Sequence, residues 1–200
     1  MPRSIRIAPP ASVQHVFNRG NLRQPIFREP DEYEDFVDLL GRAAERFQVP
    51  LLAFCLMPNH WHLVLWPPVR TALSAYMHWL TSTHVRHLHY WRGTNGLGHI
   101  YQERYRNVVV SDERQLIDVC RYVEANALSG GLVSRAEEWP YTSLSRSVDR
   151  HGRELLSPWP IPRPFDWLAL VNERGEAARP PDRPQAIGPL TPETPAGAAT

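Results

Sequence analysis

Apolar positions along the first 150 residues switch between two periods, and each switch marks an element. VQHVFNRG (13 to 20) has mixed alternation and closes on Asn-Arg-Gly, which predicts a strand and a turn. DEYEDFVDLLGRAAERF (31 to 47) repeats Tyr33, Phe36, Val37, Leu40, Ala44 and Phe47 at helical spacing, with Asp31 as the expected N-cap. PLLAFCLM (50 to 57) and HWHLVLW (60 to 66) are short apolar runs joined by Pro58-Asn59, a pattern that predicts an antiparallel hairpin. A long amphipathic helix is expected over 72 to 91, a loop over 93 to 98 and a strand over 99 to 111. DERQLIDVCRYVEANAL (112 to 128) predicts another helix, capped by Ser111 or Asp112 and ended by Gly130-Gly131. EWPYTSLSR (138 to 146) reads as a short helix or turn that docks aromatics. The order β-α-β-β-α-β-α predicts an α+β, ferredoxin-like antiparallel sheet with packed helices in a single domain.

Composition divides the chain further. Residues 1 to 150 form the expected domain, 151 to 175 an aromatic and Pro-rich extension, and 176 to 200 a Pro-rich tail. The tail has almost no large apolar side chains, so disorder is expected there. In the extension, Trp159, Phe165 and Trp167 are expected either to dock on the domain or to await a partner. No apolar run approaches the roughly 18 residues of a membrane helix, and the N-terminus lacks a secretory apolar region. Cys55 and Cys120 both lie in apolar segments and read as core residues of a reducing compartment. A cytoplasmic protein is the expectation.

The formal net charge of +1 carries no global sign of nucleic-acid binding. Yet all 22 basic residues are arginine, and residues 1 to 28 hold Arg3, Arg6, Arg19, Arg23 and Arg28 with no acid. Coding bias explains such a composition, and so does phosphate recognition by guanidinium forks. A near-neutral total can hide one basic face.

On a strand, alternate side chains share a face. His60 and His62 therefore point the same way, with attachment points about 6.5 Å apart at ~3.3 Å per residue, while Trp61, Leu63 and Leu65 face the helices. A lone His-x-His also reads as ordinary strand residues. His78, His84, His87 and His89 lie on the expected long helix and read as surface or groove residues. In RYVEANAL, Tyr122 and Asn126 stand i, i+4 on one helix face, where Asn126 could donate its amide oxygen to an ion. Tyr122 also reads as an aromatic packing with Val119 and Val123.

These residues carry a resemblance. HVFNRGNLRQPIF, LLAFCLMPNHWHLVLWP, GHIYQERYRNVVV, CRYVEANALSGGLV and WPYTSLSR are similar, in order, to five blocks of the HUH-type single-tyrosine (insertion-sequence-200-like) transposases. Among these, the chain most resembles the REP-associated tyrosine transposases of bacteria. The resemblance covers about residues 13 to 146. Where the family typically continues Asn-Pro-hydrophobic-Arg-Ala-Gly, this chain has Asn126, Ala127, Leu128, Ser129, Gly130 and Gly131.

The resemblance implies the HUH nuclease fold and a transposase or endonuclease that cleaves and rejoins single-stranded DNA. His60, His62 and Asn126 would hold a divalent ion, Mg²⁺ or Mn²⁺. Tyr122 would be the nucleophile of a 5′-phosphotyrosine intermediate. DNA hairpins formed by repetitive palindromic elements are the implied partner. DNA contacts are expected from Arg19, Arg23, Arg104 and Arg106, with Tyr105, Tyr101 and Trp66 read either as stackers under bases or as core packing. A monomer and a homodimer both remain open. Ala127 and Ser129 motivate a second reading, a non-catalytic domesticated DNA-hairpin-binding protein. A third is a metal-dependent phosphodiesterase without a covalent intermediate.

Overall fold

The computed structural model describes residues 12 to 95 and 98 to 173. Arg3, Arg6 and the expected disorder over 176 to 200 lie outside the described residues. The chain runs Gln14–Arg19 (β1), Pro30–Phe47 (α1), Leu51–Met57 (β2), His60–Leu65 (β3), Arg70–Trp91 (α2), Arg106–Val109 (β4), Glu113–Glu124 (α3), Asn126–Ser129 (α4) and Trp167–Asn172 (α5). The strands form one sheet in the order β2-β3-β1-β4, with every neighbouring pair antiparallel. Two β-α-β units, β1-α1-β2 and β3-α2-β4, thus interleave, as a ferredoxin-like sheet requires.

Several expected boundaries move. Helix α1 starts at Pro30 rather than after Asp31, because Pro30 occupies the first turn, where its missing N–H costs nothing. The strand expected over 99 to 111 shrinks to Arg106–Val109, and upstream of it only Tyr101 bridges Gly20. The helix expected over 112 to 128 breaks at Ala125 into α3 and α4, capped by Asp112, whose carboxylate accepts the Gln115 N–H at 2.8 Å. Between 138 and 146 the backbone runs mostly in turns, and Tyr141 stacks on Tyr33 with ring centroids 4.1 Å apart.

The sheet separates two cores. Trp61, Leu63 and Leu65 of β3 are buried on one side with α1 and α2, as their alternation predicts. On the other, Cys55, Met57 and Val64 meet Leu116, Val119, Cys120 and Val123 of α3. Both cysteines are buried and free. Trp159 and Trp167 of the extension pack on this second core, whereas Phe165 is fully exposed. Among the described residues no helix is long and apolar enough to cross a membrane.

The Pro58-Asn59 turn does more than join the hairpin. The Pro58 carbonyl accepts the N–H groups of Ile26 and Phe27, and the Asn59 carbonyl accepts that of Gly20 at 2.8 Å. The segment after β1 is thereby sewn to the hairpin tip. A Cβ on Gly20 would fall 2.1 Å from the Gln24 carbonyl oxygen, a backbone atom with nowhere to go. Gly20→Ala is therefore expected to lower stability by roughly 1–3 kcal/mol, read as a fall in the urea midpoint at unchanged slope.

Candidate active site

Strand register brings the site together. On β3, His60 lies opposite Arg19 of β1 and Met57 of β2, and His62 lies opposite Phe17 and Cys55. All share the α3 side of the sheet. Tyr122, from α3, meets His62 edge-on with ring centroids 5.4 Å apart, and the His60 and His62 rings stand 5.2 Å apart. Asn126 opens α4 directly after the break and brings its Oδ1 to 3.0 Å from His60 Nε2. Ala127 is buried in the core and Ser129 exposed, so the two departures from the family pattern leave that contact in place. His60, His62 and Tyr122 line a cleft of about 490 Å³ that Arg19, Arg23 and Arg106 also line.

The electrostatics follow from burial. His62 is 7% exposed and lies well below the usual imidazole value, first through burial and then through His15 and His60. Burial also lowers His60, opposed by its contact with Asn126. Both rings are therefore neutral at pH 7, with one N–H each. Yet His60 meets an oxygen at each nitrogen: Asn59 Oδ1 at 2.7 Å from Nδ1, and Asn126 Oδ1 at 3.0 Å from Nε2. If Nδ1–H donates to Asn59, the Nε2 lone pair points at the Asn126 oxygen. Two lone pairs facing each other suit a cation between them. Two imidazole nitrogens and an amide oxygen also suit a divalent ion of intermediate hardness. Among the described residues no group of three or more His, Cys, Asp or Glu side chains is placed to hold a metal. The set here relies on an amide instead.

Sequence reasoning missed His15. Its Nε2 lies 2.9 Å from His62 Nδ1, while its Nδ1 is buried without a partner. Burial pushes His15 down to about 4. A neutral His15 that accepts from His62 Nδ1–H leaves the second nitrogen of His62 available as a ligand, the tautomer control outer-shell groups exert. The only sequence signal was β1 alternation, which sets His15, Phe17 and Arg19 on one face.

Other expected site residues lie elsewhere. Tyr105 is 6% exposed and belongs to the α1 and α2 core, so its ring is closed to a base; this corrects the stacking expectation. Tyr101 is occupied as well, bonded to Trp61 and His84. Trp66 is half-buried against the α3-side core. Arg104 is exposed but lines a second cavity of about 430 Å³ between α2 and the 98–105 segment, which His60 and His62 do not line. Arg106 reaches the cleft while paired with Glu103 at 2.7 Å. His84, expected at the surface or in a groove, is completely buried.

Comparison with known proteins speaks to the family and the fold. A family model described as "Transposase IS200 like" matches residues 11–126, more than half of the chain. The chain belongs to the IS200-like transposase family. A Haemophilus influenzae protein provisionally named a REP-associated tyrosine transposase is 24% identical over 126 residues, covering 59% of this chain and 72% of the relative. The solved structure of a REP-associated tyrosine transposase bound to a REP hairpin aligns at a TM-score of 0.61 and 16% identity. That alignment covers 80% of this chain and 92% of the other. At that identity it speaks for the fold alone. In this IS200-like chain the matched region ends on Asn126, so the family model takes in both histidines and the tyrosine.

Proposed function

We propose that this chain cleaves and rejoins single-stranded DNA at hairpin-forming repeats, with Tyr122 as nucleophile. The observation that carries the reading is the Tyr122 ring against His62, 5.4 Å between centroids, in a cleft shared with Arg19, Arg23 and Arg106. Arginines at the rim hold phosphates, and Arg forks do so bidentately. The solved relative's REP hairpin motivates a folded repeat as substrate.

In the proposed step the Tyr122 oxygen attacks phosphorus in line. A tyrosine O–P bond forms, the P–O3′ bond breaks, the phenol proton is lost and the departing oxygen takes up a proton as a 3′-hydroxyl. The phosphodiester energy is kept in the 5′-phosphotyrosine, so a second 3′-hydroxyl can reverse the step and join strands. His60, His62 and Asn126 would hold a divalent ion, Mg²⁺ or Mn²⁺, which when bound polarises and orients the scissile phosphate.

Incubation of the full chain with Mn²⁺ and a labelled hairpin with unpaired flanks should give an SDS-stable protein–DNA adduct. Tyr122→Phe should give none. An adduct that survives Tyr122→Phe, or none from the wild type, overturns the reading. Strand cleavage without adduct would point to attack by water, and binding without cleavage to a DNA-binding module.

A further inference from the structure

The loop after β1 carries a side chain that this chemistry leaves unused. Leu22 is 81% exposed, beside a cleft that Phe17 and Tyr122 line together with Arg19, Arg23, Arg106 and Glu103. It adopts φ 50°, and Arg23 follows at φ 60°. Two successive non-glycine residues in the left-handed region persist only where their surroundings impose it, and such strain gathers at ligand clamps. The surroundings here do impose it. Gly20 N–H binds the Asn59 carbonyl and Asn21 N–H the Ile100 carbonyl, each at 2.8 Å, and Gln24 N–H binds the Asn21 carbonyl at 2.9 Å. Asn59 Nδ2 reaches the Arg23 carbonyl at 3.4 Å. The fold therefore holds an apolar tip rigidly in water.

Charge says what the tip meets. Arg19 and Arg23, both exposed, bracket Leu22 in sequence and line the cleft, and residues 12 to 28 contain no acid. An apolar tip between two cations suits a base step flanked by its phosphates. Apolar wedges inserted into base steps unstack them, and flanking arginines hold the backbone. Resting on the DNA reading above, we propose that Leu22 is a wedge that enters the stack where the paired stem of a bound hairpin meets its single strand. It would open that junction and deliver the unpaired strand into the cleft.

The test uses the full chain carrying Tyr122→Phe, so that binding is read without cleavage. The probe is a DNA hairpin with 2-aminopurine at the last paired position, whose fluorescence rises on unstacking. At saturating protein, set by anisotropy on the same DNA, the signal should rise on the order of a fewfold. Adding Leu22→Ala should remove most of that rise, and Leu22→Met should restore it. At 81% exposure Leu22 is no part of either core among the described residues, so both variants should fold. A Leu22→Ala protein that raises fluorescence as much as its parent overturns the wedge. So does a parent that binds the hairpin without raising the signal, and that result leaves the DNA reading standing. A parent that does not bind the hairpin overturns both.

Discussion

Glu124→Ala should lower the free energy of unfolding by roughly 3–5 kcal/mol, while Glu124→Gln should cost less than about 1 kcal/mol. Glu124 is fully buried two residues beyond Tyr122. Its carboxylate accepts from Ser143 Oγ and from Trp167 Nε1, each at 2.6 Å. Burial raises its pKa, opposed by those two bonds and by the charge of Arg163. Alanine would leave a cavity and orphan the buried Trp167 N–H, at roughly 1–3 kcal/mol for the donor alone, and would leave Ser143 only the longer bond to the Phe54 carbonyl. Glutamine can turn its oxygen to the indole and its amide nitrogen to Ser143 Oγ, whose hydrogen would then swing to the Phe54 carbonyl 3.3 Å away. The pair of variants therefore separates hydrogen bonding from charge. Urea titrations followed by far-ultraviolet circular dichroism supply both numbers. Equal losses from alanine and glutamine would show that the negative charge, not the geometry, is what this core requires.

The contrast between Glu124 and its neighbours shows which parts of the site were legible. Period-two alternation sufficed to put His60 and His62 on one face with Trp61 on the other. Helical i, i+4 spacing set Tyr122 and Asn126 on one expected helix, but the helix breaks between them, and Tyr122 meets His62 while Asn126 meets His60. Those are local regularities. What stayed hidden depends on contacts between distant segments. His15 reaches His62 across the β1–β3 register, 47 positions away in the chain. Trp167 reaches Glu124 from an extension that composition alone left either docked or free. Tyr105 follows the loop that covers α2, and nothing in its own neighbourhood distinguishes a ring beneath a base from a ring in the core. The fold was legible because two interleaved β-α-β units leave few ways to close a sheet. Capping and strand ends were less so, because Pro30 and the irregular 99–105 segment override the local pattern.

His84 was misplaced for the same reason, and it leads to a pH-dependent result. Helix α2 mixes polar and apolar residues around much of its circumference, so its inward face cannot be read from spacing alone. In the structure Trp61 Nε1–H donates to Tyr101 Oη at 3.1 Å, and Tyr101 Oη–H donates to His84 Nδ1 at 2.7 Å. His84 Nε2 is buried with no partner. Burial, reinforced by the charges of Arg92 and His87, pushes His84 from 6.5 down to about 3. The unfolded chain takes up a proton below pH 6.5 that the native chain refuses until about pH 3. Stability from this group is therefore complete above pH 6.5 and is lost as pH falls towards 3. At pH 4 the loss amounts to roughly 3 kcal/mol. His15, His60 and His62 are also lowered, so the wild type should take up more than one proton on unfolding near pH 5. His84→Asn places an amide oxygen where Nδ1 stood, keeps an acceptor for Tyr101 and cannot titrate. Its stability at pH 7 should fall through the smaller side chain, but the further loss between pH 7 and pH 4 should shrink by about 3 kcal/mol. Urea midpoints for both proteins across that range decide the matter. Parallel curves would mean that His84 is protonated in the native state and that the Trp61–Tyr101–His84 chain opens to water in acid.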